Sequence, residues 1–139
     1  MKLRVKGNSL RLRLLRGEVQ QFGETGRIAE TIEFGASPAA RLSYILEADD
    51  KARHISANFA ENKVTVIIPR ATARNWVESE QVSLMSEQPI DSESRNAVVK
   101  NETPKNVLKI LIEKDFVCLD RKEDPDTADA FPHPTGKCS

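Results

Sequence analysis

A chain of 139 residues with 21 basic and 21 acidic side chains has no formal net charge, so nothing draws the whole molecule to nucleic acid or an anionic membrane. Any electrostatic function must come from local asymmetry. Aromatic residues make up 5% of the chain, so a core of single-domain size has to be mainly aliphatic.

No stretch approaches the ~18 apolar residues of a membrane-spanning helix. The opening Met1-Lys2-Leu3-Arg4-Val5-Lys6 lacks the apolar centre of a secretory signal. Two cysteines, Cys118 and Cys138, do not form a disulfide framework, and the expected compartment is the cytoplasm with both thiols reduced.

The N-terminus alternates strictly, with Leu3 and Val5 on one face and Lys2, Arg4 and Lys6 on the other. Past Gly7-Asn8-Ser9 the pattern resumes as Leu10, Leu12 and Leu14 against Arg11 and Arg13. The apolar set moves from odd to even numbers, so Gly7-Asn8 marks either a bulge in one strand or a tight hairpin turn. Leu15, Val19 and Phe22 then share one helical face, with Gly23 as the expected stop and Gly23-Glu24-Thr25-Gly26 as a turn. Ile28 to Phe34 alternates as a strand closed by Gly35. A further strand spans Leu42, Tyr44 and Leu46 and ends at Asp49-Asp50.

Ile55 to Ile68 reads as a hairpin around Glu61-Asn62, pairing Phe59 with Val64, Ala57 with Val66 and Ile55 with Ile68 on one face. Pro69 ends it. A helix over Ala71–Ser79 anchored by Trp76 follows, then a short strand at Val82 and Leu84. Residues 86–105 are polar and contain two prolines, which predicts a long loop. Leu108, Ile110 and Ile112 begin a strand running to Leu119. The domain is therefore expected over residues 1–120, with 121–139 a Pro- and Asp-rich C-terminal tail. No internal repeat is evident.

The order ββαββββαββ predicts an α+β domain. Short connections favour a mostly antiparallel curled sheet or half-barrel with two short helices, or else an open two-layer α/β sandwich.

Three clusters are candidates for function. Lys2, Arg4, Lys6, Arg11, Arg13 and Arg16 all precede the first acid, Glu18, and the first five are candidate anion-binding residues. The plainer reading is an edge strand whose cations block edge-to-edge pairing. Seven acids, Glu113, Asp115, Asp120, Glu123, Asp124, Asp126 and Asp129, form the second cluster. They read as a solvated tail, or as counter-charges to the basic face, rather than as a calcium loop.

The third is a soft-ligand set, Cys118, His133 and Cys138, with Asp120 or His54 as a fourth ligand for zinc or another divalent ion. The spacing lacks a zinc knuckle, and Cys118 has the parity of a buried thiol. No cofactor is expected beyond that. Nucleophile-elbow, phosphate-loop, dinucleotide and zinc-protease motifs are missing, and neither His54 nor His133 has the setting of a catalytic base.

Lys2-Leu3-Arg4-Val5-Lys6-Gly7-Asn8-Ser9-Leu10-Arg11, the Leu42–Leu46 strand, the Ile55–Ile68 hairpin and Glu113-Lys114-Asp115-Phe116 running on to Phe131-Pro132 resemble an uncharacterised family of small bacterial proteins. That family is a domain of unknown function. The resemblance implies a bacterial, cytoplasmic, stand-alone domain and supplies no catalytic residue.

The residues themselves favour a non-enzymatic binding or accessory domain for an anionic small molecule or an acidic protein segment. Nucleic acid is disfavoured because aromatic platforms are scarce beside the charge. One alternative is a metal-dependent enzyme on a phosphorylated substrate, with Glu30, Glu33, Glu47 or Glu113 holding the ion near Arg4 and Arg11. Another is a homodimer formed through an edge strand.

Overall fold

The computed structural model describes residues 1–90 and 106–115. Eight strands and two helices follow the expected order: β1 (Lys2–Lys6), β2 (Ser9–Leu14), α1 (Arg16–Thr25), β3 (Arg27–Glu33), β4 (Arg41–Asp49), β5 (Ser56–Ala60), β6 (Lys63–Pro69), α2 (Arg70–Glu78), β7 (Ser83–Pro89) and β8 (Val107–Lys114). A 3₁₀ turn, Pro38–Ala40, leads into β4.

The strands form two four-stranded sheets rather than one. Sheet A has the order β1-β2-β8-β7 and sheet B the order β3-β4-β6-β5. In each, two antiparallel hairpins are joined by a parallel central pair, β2 with β8 and β4 with β6. Neither sheet is closed or strongly curled, so the expectation of a mostly antiparallel curled sheet or half-barrel is corrected to a pair of mixed sheets. The reason is physical: alternation shows which face of a strand is buried, but not which distant strand lies beside it.

Inward-facing residues of both sheets and both helices merge into one apolar core. Leu12, Leu14, Ile110, Ile112 and Leu84 come from sheet A, Ile28, Leu46, Val66 and Ile68 from sheet B, and Val19, Phe22, Ala73 and Trp76 from the helices. Phe22 and Trp76 meet edge to face, with ring centroids 6.3 Å apart.

The pairing pattern contains an internal duplication. Strands β1-β2, helix α1 and strands β3-β4 recur as β5-β6, α2 and β7-β8, and the parallel contact of β2 with β8 is matched by that of β6 with β4. Register carries the match to single residues. Leu12 and Leu14 correspond to Val66 and Ile68, and Val19 and Phe22 to Ala73 and Trp76, all buried. Leu46 opposite Ile28 corresponds to Ile112 opposite Leu84.

Each half thus lends its second hairpin to the other's sheet. Side-chain identity survives at few equivalent places, such as Asn8 with Asn62 and Arg16 with Arg70, which is why no repeat is visible in the sequence.

Local chemistry explains the turns. Gly7-Asn8 is a hairpin turn, not a bulge: Lys6 faces Ser9, and Gly7 takes φ 52° at the first central position. At Glu61-Asn62 both residues are left-handed, with φ 53° and 62°, the pattern of a type I′ turn.

Helix α1 runs past Gly23 and stops at Gly26, whose φ of 75° makes the left-handed cap. The expected stop and turn at Gly23 are therefore corrected. Gly23 is needed for close approach instead, since a Cβ there would lie 2.8 Å from Val77 Cγ1 on α2.

Ser86 to Pro89 belong to β7, so the predicted loop over 86–105 starts too early; residues 91–105 lie outside the described residues. The same holds for the tail over 121–139 and for the continuation of β8 toward Leu119.

Candidate functional site

The hairpin geometry decides what the basic opening builds. Leu3 packs on the core, so Lys2, Arg4 and Lys6 project from the outer face of sheet A. Lys2 lies directly opposite Arg13, and Arg4 directly opposite Arg11. All five candidate anion-binding residues, Lys2, Arg4, Lys6, Arg11 and Arg13, therefore share one surface.

Like charges opposed in a ladder cost stability unless acids intervene. Two acids do. Glu113 on β8 accepts from Arg13 Nε at 2.7 Å and lies 3.4 Å from Arg11 Nε, while Asp115 accepts from Lys2 Nζ at 3.3 Å. Glu113 and Asp115 thus serve as counter-charges, as the acidic cluster suggested; its other five members lie outside the described residues.

Exposure divides the face. Arg11 and Arg13 keep 21% and 22% of their side-chain surface, whereas Lys2 keeps 69%, and Arg4 and Lys6 are exposed. Among the described residues β1 is also an edge strand, so its cations guard that edge as well.

The other candidates do not assemble around this face. Glu30, Glu33 and Glu47 belong to sheet B, and of the four candidate carboxylates only Glu113 stands near Arg11. Glu30 is engaged at the junction of the sheets, where it accepts from the Tyr44 hydroxyl at 2.9 Å and lies 3.3 Å from the Met1 amino group. Burial, followed by the hydrogen bond and charge of Glu30, pushes the Tyr44 phenol above its ordinary range.

Cys118, Asp120, His133 and Cys138 lie outside the described residues, and His54 is exposed. Among the described residues no cluster of His, Cys, Asp and Glu could hold a metal ion.

A second feature, with no signal in the residue pattern, is a pair of equivalent clefts related by the duplication. One is lined by Gly23, Gly26, Ala48, Arg70, Ala73 and Val77 and has a volume of about 90 Å³. Its counterpart, lined by Leu14, Arg16, Val19, Val77, Ser79 and Lys114 among others, has about 890 Å³.

Arg70 accounts for much of the difference. Its Nη1 lies 3.3 Å from where a Cβ of Gly26 would be, its Nη2 donates to the Ala48 carbonyl at 3.4 Å, and its Nε donates to Asp50 at 2.5 Å. Arg16, its equivalent, is exposed and has no hydrogen-bond or ion-pair partner among the described residues.

A family model described as a family of unknown function, DUF7009, matches residues 1–135. The chain belongs to DUF7009. No curated protein and no solved structure matches it. Membership of DUF7009 therefore agrees with the resemblance carried by the N-terminal hairpin and the later segments, and it assigns no reaction or ligand. Among the described residues no helix is long and apolar enough to cross a membrane.

Proposed function

We propose that this domain is a non-catalytic binding module whose outer sheet A face holds an acidic protein segment in extended form. The observation that carries the reading is the pair of opposed cations, Lys2 with Arg13 and Arg4 with Arg11, repeated along one face with Lys6 beyond them. Five cations gathered on one sheet face, with Glu113 and Asp115 steadying part of the set, form a local basic surface suited to an acidic partner.

Geometry favours a segment over a small anion. Focusing on a single phosphate needs a concave wall, and neither sheet is strongly curled. Lys2, Arg4 and Lys6 instead recur about every 6.8 Å along β1, matching the alternate side chains of an extended peptide. Glu113 steadies Arg11 and Arg13 behind the more exposed β1 cations.

The test is fluorescence anisotropy of a labelled hexaglutamate peptide. Binding should weaken as salt rises, and should fall by about tenfold or more in an Arg4→Glu, Lys6→Glu double variant that melts like wild type. Equal binding by that variant, or no binding by wild type at millimolar protein, would end the reading.

A further inference from the structure

The two clefts have the same origin in the fold and opposite fates. On one side Arg70, itself exposed, lies over the cleft and is held by the Ala48 carbonyl and Asp50. The close approach depends on Gly26, which alone turns the chain between α1 and β3 and has no side chain to obstruct the guanidinium.

On the other side the equivalent connection is longer, running from Ser79 to Val82 between α2 and β7. Lys114 also stands where Ala48 stands in the closed cleft, as the registers Leu14 with Lys114 and Ile68 with Ala48 require. The Lys114 ammonium sits 5.5 Å above the Trp76 ring and donates to the Ser79 carbonyl at 2.7 Å. A cation in that place repels any inward fold of Arg16 that would imitate Arg70. The cleft therefore stays open, with part-exposed Val77 and the edge of Val19 over the buried Leu14, and with Arg16, Lys114, Glu80 and Asp115 at its margin.

We infer that the open cleft is a binding site for a small apolar carboxylate, with its hydrocarbon body against Val77 and the edge of Val19 and its carboxylate at Arg16. The volume falls in the range of small-molecule sites, which are largely apolar with a few placed polar groups. The acids at the margin do not duplicate the ligand's role: Asp115 is occupied by Lys2, and Glu80 lies exposed on the α2–β7 connection. Arg16 supplies a planar, permanently charged donor suited to a carboxylate. The site shares Asp115 with the basic sheet face, but Arg16 is not among the five face cations, so variants of Arg16 and of Arg4 with Lys6 test the two proposals separately.

Decanoate and decanol, both below their aggregation limits, separate the head-group contribution from the apolar one. Calorimetric titration of the full chain should give tighter binding for decanoate than for decanol by about tenfold, the scale of one charge-assisted hydrogen bond. Arg16→Glu should remove that preference, while Arg70→Glu, on the closed side, should leave decanoate binding within about twofold. Arg16 is exposed, so its variant is expected to melt like wild type.

Absence of decanoate binding, equal affinity for decanol, or equal losses in the two arginine variants would overturn the assignment.

Discussion

Gly23 offers a sharp test because two familiar effects act there with opposite signs. Gly→Ala inside a helix ordinarily stabilises by about 0.5–1 kcal/mol. Here the added Cβ would lie 2.8 Å from Val77 Cγ1, well inside the ~3.5–4.0 Å optimum for two carbons. Either the helices separate, weakening the Phe22–Trp76 contact, or Val77 leaves its rotamer. Overpacking of that kind costs about 1–3 kcal/mol.

The account predicts that Gly23→Ala is destabilised by about 1–2 kcal/mol despite its better helix propensity, lowering the melting temperature by roughly 3–6 °C. Urea unfolding followed by emission of the single Trp measures it. In a Val77→Ala background the same change should become neutral or stabilising, a coupling of about 1–2 kcal/mol. A Gly23→Ala protein more stable than wild type would mean instead that there is room between the helices at the point where the two halves meet.

Other consequences concern charge. Because the folded-state pKa of Tyr44 is raised, its contribution to stability is complete below the unfolded value of about 10 and is lost as pH rises through the folded value. Phenolate absorbance, which reports this residue alone, should appear at higher pH in native than in urea-unfolded protein, and Tyr44→Phe should flatten the alkaline loss; coincident titrations would contradict this.

Glu113→Gln deprives Arg11 and Arg13 of a shared carboxylate that is only 16% exposed, and should lower urea stability by about 1–2 kcal/mol, less at high salt. Glu18 accepts from the Leu15 backbone N–H at 2.8 Å and from the Met1 amino group, so Glu18→Ala should cost about 1 kcal/mol and fray α1 in hydrogen exchange.

Much of the element order was legible because its signals are local. Odd-to-even switching at Gly7, left-handed tolerance at Asn62 and alternation from Lys63 to Ile68 each depend on a few neighbouring residues. The pairs Phe59 with Val64 and Ala57 with Val66 occur as read. The division into two sheets was not legible, because the parallel contact of Leu12 with Ile112 joins residues a hundred positions apart and leaves no mark on either strand.

Gly23 was misread for a related reason. Its helix-ending chemistry is visible in sequence, but the Val77 wall that makes a glycine necessary belongs to another element.

The candidate site divides along the same line. That Lys2, Arg4 and Lys6 share a face follows from alternation, and the chemical choice between bulge and turn was open at Gly7. The hairpin then set Arg13 opposite Lys2 and left room for Glu113 on the third strand. The open cleft had no sequence signal, because Arg16 and Arg70 are the same residue in the same place after a strand. What differs is the distant surroundings, Gly26 and Ala48 beside one and Lys114 beside the other.

Amide chemical-shift mapping of the full chain with hexaglutamate shows whether the basic sheet face receives an acidic segment. Salt-sensitive shifts are expected at Lys2, Arg4, Lys6, Arg11 and Arg13, with the helices and sheet B unmoved. Shifts centred elsewhere, or none at saturating peptide, would contradict binding at this face.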